Sequence, residues 1–164
     1  MRVIVFSDSH GELANALQAL KEAGPVDLVI HAGDFYRDAF NLAAEIKVPT
    51  RAVLGNCDPY GEGPLELLLE LSGKKILLVH GHAFGYENRN AKLLARAKAT
   101  GADAVVFGHS HRAEITGEDG ILLFNPGSIS KPRDTGGPSY GILEIDKEGI
   151  KPAIYRLKDK TQNL

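Results

Sequence analysis

Five short runs rich in Val, Ile and Leu constrain this chain more than any other feature: Val3–Phe6, Leu28–Ile30, Ala52–Leu54, Ile76–Val79 and Ala104–Phe107. A run that is apolar at every position has no face to offer water, so each fits a strand covered on both sides. These are expected to be central strands. Between the first two, Leu13, Ala16, Leu17 and Leu20 recur at helical spacing, and Gly24-Pro25 stops the pattern, giving one βαβ unit. Phe40, Ala43 and Ala44 predict a second helix ending before Pro49, and Leu93, Leu94 and Ala97 a third closed by Gly101. Alternation of strand and helix argues an α/β fold.

Leu67, Leu69 and Leu71 alternate, and Ser72-Gly73 follows them, so the stretch Leu65 to Leu71 is read as one arm of a hairpin leading into Ile76–Val79. Beyond His111 the pattern changes. Ile121–Phe124, Tyr140–Ile145 and Ala153–Leu157 are short strands separated by Gly, Pro and Asp with no helix between them, and are expected to form a second, mostly antiparallel sheet. The fold class is therefore α/β, a two-sheet β-sandwich of mixed sheets flanked by helices in αββα order. A length of 164 residues suits one domain over 1–164, with only the tail after Lys158 expected to be loose.

Several function classes fall away. Net charge is −2 and no run of Lys or Arg forms the basic stripe that duplex binding needs, so bulk nucleic-acid binding is not expected. No apolar stretch approaches the ~20 residues of a membrane span, and the N-terminus lacks a signal-peptide pattern, which predicts a cytoplasmic protein that does not enter membranes. The single cysteine, Cys57, excludes an internal disulfide. Self-association is left open.

Each of the five runs ends in a polar cluster: Asp8-Ser9-His10, Gly33-Asp34, Gly55-Asn56-Cys57-Asp58, His80-Gly81-His82 and Gly108-His109-Ser110-His111. Ligands of α/β sheets bind outside the carboxyl ends of the strands, so these distant clusters converge on one rim. An i, i+2 spacing in extended chain aims Asp8 with His10, and His109 with His111, the same way. Imidazole mixed with carboxylate or amide oxygen suits Mn²⁺, Fe, Co²⁺, Ni²⁺ or Zn²⁺ better than an all-oxygen calcium cage.

The order Asp-x-His, Gly-Asp, Gly-Asn-x-Asp, Gly-His, Gly-His-x-His resembles the calcineurin-like metallophosphoesterase superfamily over residues 3 to about 145. Asn125-Pro126-Gly127-Ser128 resembles its small prokaryotic phosphodiesterase branch. The resemblance implies a phosphodiesterase with two divalent ions, manganese foremost and nickel, cobalt, zinc, iron or magnesium compatible. It implies that Asp8, His10 and His111 hold one ion, that Asn56, His80 and His109 hold the other, and that Asp34 bridges them. A metal-bridging hydroxide would then attack the phosphorus of a small phosphate ester. Alternatives within the same fold are a phosphomonoesterase, a nucleotide phosphatase, or a non-catalytic metal-binding scaffold.

Other residues carry two readings. Cys57 stands where many members of the superfamily place a histidine that protonates the leaving oxygen, and a thiol is a poor substitute, so activated or diester substrates are expected. His82 either meets a phosphate oxygen or supplies the acid, or simply bonds a loop. Asp58 either orients the site by hydrogen bonding or is an exposed turn aspartate before Pro59. His31 is expected to be buried and to donate to a carbonyl or to a carboxylate behind the ligands. The Asn125–Ser128 turn is expected to brace the ligand loops, Lys131 or Arg133 to meet a second phosphate or stay solvated, and Tyr36, Arg37 and Phe40 to line the pocket mouth.

Overall fold

Alternate residues of each apolar run face opposite layers. The computed structural model describes residues 1–157; the tail after Lys158 lies outside them. The chain forms β1 (Arg2–Phe6), α1 (Leu13–Ala23), β2 (Leu28–His31), α2 (Tyr36–Ile46) and β3 (Thr50–Ala52). Then come β4 (Glu66–Leu71), β5 (Lys74–Val79), a 3-10 turn at His82–Phe84, α3 (Arg89–Thr100) and β6 (Ala104–Val106). Last are β7 (Ala113–Glu118), β8 (Ile121–Pro126), β9 (Ser139–Ile145) and β10 (Ile150–Arg156). Two 5-stranded sheets result, ordered β10-β9-β1-β2-β3 and β4-β5-β6-β8-β7.

Period-two alternation builds the layers. Val3 and Val5 pack between the sheets with Leu28, Ile30, Ile76, Leu78 and Val106. Ile4 and Phe6 point the other way, onto Ala16 and Ala19 of α1 and Leu42 of α2. In the second sheet Leu77 and Val79 meet Leu93, Leu94 and Ala97 of α3. Each fully buried Val, Leu or Ile side chain contributes roughly 1.5–3 kcal/mol relative to exposure. The expected αββα sandwich of mixed sheets is what these contacts produce, and the Leu65–Leu71 stretch does pair as a hairpin, Leu67 opposite Leu78 and Leu69 opposite Ile76.

The division of strands between sheets departs from expectation. The late strands do not make a sheet of their own: β9 extends the first sheet antiparallel to β1 and β10 pairs antiparallel with β9, while β8 runs parallel to β6 in the second. Ala104–Val106 is fully buried and needs a partner on each edge, which β5 and β8 supply. Nor is every early run central, because β3 lies at a sheet edge and ends at Ala52; Val53 and Leu54 continue as buried irregular chain, their amides bonded to the carbonyls of His31 and Pro64. Strand β7 was not anticipated, since Ala113–Glu118 is largely exposed and has no apolar alternation.

Candidate metal centre

The carboxyl ends of β1, β2 and β3 in one sheet and of β5 and β6 in the other carry the polar clusters. The backbone there is not extended. Asp8, His10, Asp34, His109 and His111 all lie in the left-handed region, with φ between 47 and 67°. Side chains of each pair therefore converge because the loop turns twice, and not through the extended i, i+2 spacing. Such conformations are uncommon outside glycine, although Asp and His are among the residues that enter them most, and they cluster at functional sites. Glycines allow the loops to close: a Cβ on Gly33 would stand 2.8 Å from both the Gly55 amide nitrogen and His80 Nδ1, and one on Gly55 would overlap the Asp34 carboxylate.

Asp8, His10, Asp34 and His111 each present one ligand atom, all within 4.8 Å of one another. Asp8 is fully buried; its Oδ2 accepts from Ser7 Oγ at 2.6 Å and from the His109 amide at 3.1 Å, which leaves Oδ1 without a hydrogen bond. That oxygen faces His111 Nε2 at 3.2 Å. His10 Nε2 is likewise buried and unpartnered, 3.7 Å from Asp34 Oδ2.

The other carboxylate oxygen of Asp34 turns toward a second group. Asp34 Oδ1 accepts from the Cys57 amide at 2.9 Å and lies 3.4 Å from His80 Nε2. His80 Nδ1 is 2.7 Å from the Ala32 carbonyl, which can only accept, so Nδ1 carries the proton. In the neutral ring, Nε2 then directs a lone pair at Asn56 Oδ1 (3.1 Å), Asp34 Oδ1 (3.4 Å) and Asp8 Oδ1 (3.8 Å). His111 repeats the arrangement, its Nδ1 donating to the Lys131 carbonyl at 2.7 Å. A lone pair against three oxygens is repulsive unless a proton or a cation lies between them. The unpartnered Asp8 Oδ1 and His10 Nε2 alongside favour the cation, and imidazole, carboxylate and amide oxygen are ligands a divalent transition ion accepts. The His109 ring completes the second group, 5.2 Å from that of His80 between centroids.

Electrostatics keep most of these groups in ligating form. Burial lowers the pKa of His10, His82 and His109, against the pull of Asp34 and, for His10 and His109, Asp8. Burial alone would raise Asp8, but in the metal-free chain protonation of the adjacent His111 and His80 rings outweighs it and holds the carboxyl below its ordinary value. His111 is raised, first by the Asp8 carboxylate beside it. Burial and the Asp34 carboxylate push the Cys57 thiol up.

Supporting residues fix the loops. Ser128 and Ser130 both donate to the Asp8 carbonyl, at 2.8 and 2.9 Å, and Asn125 Nδ2 donates to the Gly108 carbonyl at 3.0 Å. The Asn125–Ser128 turn thus ties the first ligand loop to the last. Asp58 accepts from the Tyr36 amide at 2.7 Å and the Gly55 amide at 2.8 Å, which occupies both its oxygens with backbone. It braces the start of α2 against the loop of Asn56.

One support, Asp38, was not read from the sequence. Asp38, buried in the first turn of α2, accepts from Ser9 Oγ at 2.6 Å and the Gly11 amide at 2.8 Å, on either side of His10. His31 was expected to donate to a carbonyl or carboxylate; instead its Nδ1 accepts the Gly33 amide, and Nε2–H reaches Ser9 Oγ at 2.8 Å, so the Asp38 carboxylate is met only through that hydroxyl. Acidic residues in a first helical turn are common for dipole reasons alone, so nothing local marked Asp38.

Tyr36 and Phe40 pack edge to face on each other at 5.0 Å, and Arg37 is paired with Glu62 at 2.6 Å. The rings beside the site are Phe35, 5.3 Å from His10, and Tyr86, stacked on His109 at 5.2 Å. His82 Nδ1 is buried without a partner, its ring 5.4 Å from His80. Arg133 lies close enough to His111 for its charge to oppose protonation there.

The description "calcineurin-like phosphoesterase superfamily domain" belongs to a family model that matches residues 1–148. The chain belongs to that superfamily. It is 40% identical over 157 residues to the probable metallophosphoesterase YsnB of Bacillus subtilis, covering 94% of this chain and 90% of that one. It is 32% identical to the phosphodiesterase YfcE of Escherichia coli, with 89% of each chain covered. A predicted phosphoesterase of Streptococcus pneumoniae, 35% identical, superposes with a TM-score of 0.80 over 94% of this chain and 88% of that one. Membership of the calcineurin-like superfamily agrees with the class read from the sequence, a metal-dependent hydrolase of phosphate esters. No helix among the described residues is long and apolar enough to cross a membrane.

Proposed function

We propose that this calcineurin-like protein is a dinuclear metal-dependent phosphodiesterase acting on a small phosphate ester in the cytoplasm. The observation that carries the reading is the set of lone pairs and carboxylate oxygens that meet at His80, Asp8 and Asp34 with too few protons to satisfy them. Asp8, His10 and His111 would hold one ion, Asn56, His80 and His109 the other, and Asp34, with one oxygen toward each group, would bridge. When bound, such ions, manganese foremost, supply a hydroxide nucleophile at neutral pH and a positive clamp for the phosphoryl oxygens.

The chain's own residues do the rest. Carbonyls of Ala32 and Lys131 orient His80 and His111 so that each offers Nε2 inward, the role such outer partners usually take. Asp38, Ser9 and the Asn125–Ser130 segment keep the His10 and Asp8 loops in their strained turns. His82, its Nδ1 buried without a partner, is the imidazole free to meet a phosphate oxygen, and burial lowers its pKa, which disfavours the protonated form that an acid would need. Cys57, its pKa raised, is a weak acid beside Asp34, which favours diesters with good leaving groups over alkyl monoesters. The 32% identity to an E. coli protein named phosphodiesterase supports the same choice.

The deciding experiment loads purified protein separately with Mn²⁺, Ni²⁺, Co²⁺, Zn²⁺ and Mg²⁺, measures bound metal per chain, and screens phosphodiesters against phosphomonoesters. Two ions per chain with faster diester turnover is the expected result. One ion per chain, or monoesters turned over faster at every metal, overturns the reading.

A further inference from the structure

A recess opens beside Phe35 and Cys57, next to the Asp34 loop, and none of the proposed ligands lines it. Its volume is about 220 Å³, and Phe35, Arg37, Cys57, Asp58, Pro59 and Glu62 line it. The Cys57 amide donates to Asp34 Oδ1 at 2.9 Å, so the recess begins one residue from the centre of the site. Its charges are already spent: Arg37 pairs with Glu62 through two bonds of 2.6 and 3.1 Å, and both Asp58 oxygens hold backbone amides. What remains to meet a ligand is apolar, namely the Phe35 ring, the Cys57 side chain and Pro59.

Phe35 makes the recess more than a surface dent. It follows Asp34 directly, has φ of 74°, and keeps 41% of its surface exposed. A bulky residue in the left-handed region is an outlier, and glycine would take that position without strain. A half-exposed ring gains little from the core for this cost. It stands instead with its centroid 5.3 Å from the His10 ring, at 55°, on the border between metal site and recess. A cavity of about 150 Å³ is enough to hold benzene, so a single six-membered ring fits here.

Resting on the phosphoesterase reading above, we propose that the recess seats a planar aromatic ring of the substrate against Phe35, so that the favoured substrates are phosphate esters bearing an aromatic group next to the phosphate. An aromatic pair gains from edge-to-face or offset stacking beyond the area it buries.

Calorimetric titration of the metal-loaded protein with phenyl-, cyclohexyl- and methylphosphonate tests this without turnover. Wild type is expected to bind phenylphosphonate about tenfold tighter than methylphosphonate, with the cyclohexyl compound weaker than phenyl. Phe35→Tyr keeps that preference. Phe35→Gly, which suits the left-handed backbone and removes only the ring, brings phenyl and methyl within about twofold while methylphosphonate binds as before, melting curves confirming that both variants fold. Equal binding of phenyl and methyl by wild type, equal binding of phenyl and cyclohexyl, or an undiminished preference in Phe35→Gly overturns the proposal. Failure of all three phosphonates to bind overturns the phosphoesterase reading itself.

Discussion

Asp34 concentrates the chemistry of the site into one carboxylate, with Oδ1 toward His80 and Oδ2 toward His10. Replacing it by Asn preserves the shape and the bond from the Cys57 amide but removes the charge between the two groups. Asp34→Asn is expected to lower kcat/KM by more than the ~10–100-fold typical of residues that merely orient ligands, and to lower the metal-to-protein ratio. Wild-type turnover with two ions retained would refute a bridging role. His31 offers a second residue-level test, because burial takes its pKa down to about 4. Unfolded, the ring takes up a proton near pH 6.5; folded, it refuses one until about pH 4, so the unfolded state holds more protons across that window. Stability attributable to His31 is thus complete above pH 6.5 and is lost as the pH falls toward 4, by about 3 kcal/mol in all. Urea unfolding with chelator present should show that wild type loses stability over this range faster than His31→Gln. Parallel curves would show that the histidine is protonated in the native state.

The loops between elements carry the strain that makes the site, and they tolerate little addition. Gly33, at the end of β2 with φ of 95°, approaches the Gly55 amide after β3 so closely that a methyl group there meets backbone at 2.8 Å. Gly33→Ala combines a forbidden dihedral with an overlap between two strands' ends, and about 2–4 kcal/mol of destabilisation is expected. The urea midpoint measures it; a midpoint within experimental error of wild type would mean the β2 and β3 loops separate more easily than their packing implies. The β7–β8 hairpin is held differently, through Asp119-Gly120 with φ of 53 and 76°, the paired left-handed turn that Asp-Gly favours. Neither that turn nor its first strand was read from the sequence, since an exposed edge strand needs no apolar pattern to frame the turn.

At the scale of the molecule, the two sheets bring their parallel strand ends to one rim, so any ion bound there links both halves of the sandwich. Ions that bind only the folded chain stabilise it by mass action, about 2.7 kcal/mol at a hundred times the dissociation constant. Removing them with a strong chelator should lower the melting temperature by about 5–10 °C for a chain of this size and restore it on readdition. If neither activity nor melting temperature responds to chelation and readdition, the site is not metallic. Much of this architecture was legible in the sequence. Uniformly apolar runs announced strands buried on both faces, the leucine and alanine spacings announced α1 and α3, and the types of Asp8, His10, Asp34 and His111 pointed to the ligand group that the fold brings together, because periodicity and ligand character are properties of the residues themselves. What the tertiary structure alone decided was pairing and direction. β9 could complete either sheet on local grounds, and it joined β1 because Ile142 and Tyr140 were needed over the α1 and α2 layer while Leu143 and Ile145 filled the space between the sheets. Likewise the left-handed turns at Asp8 and His10 exist because Asp38, Ser128 and Ser130, up to 122 positions away, hold the backbone there. Local sequence does not encode a partner that distant, since which of several similar strands or hydroxyls arrives is settled only when the whole core packs.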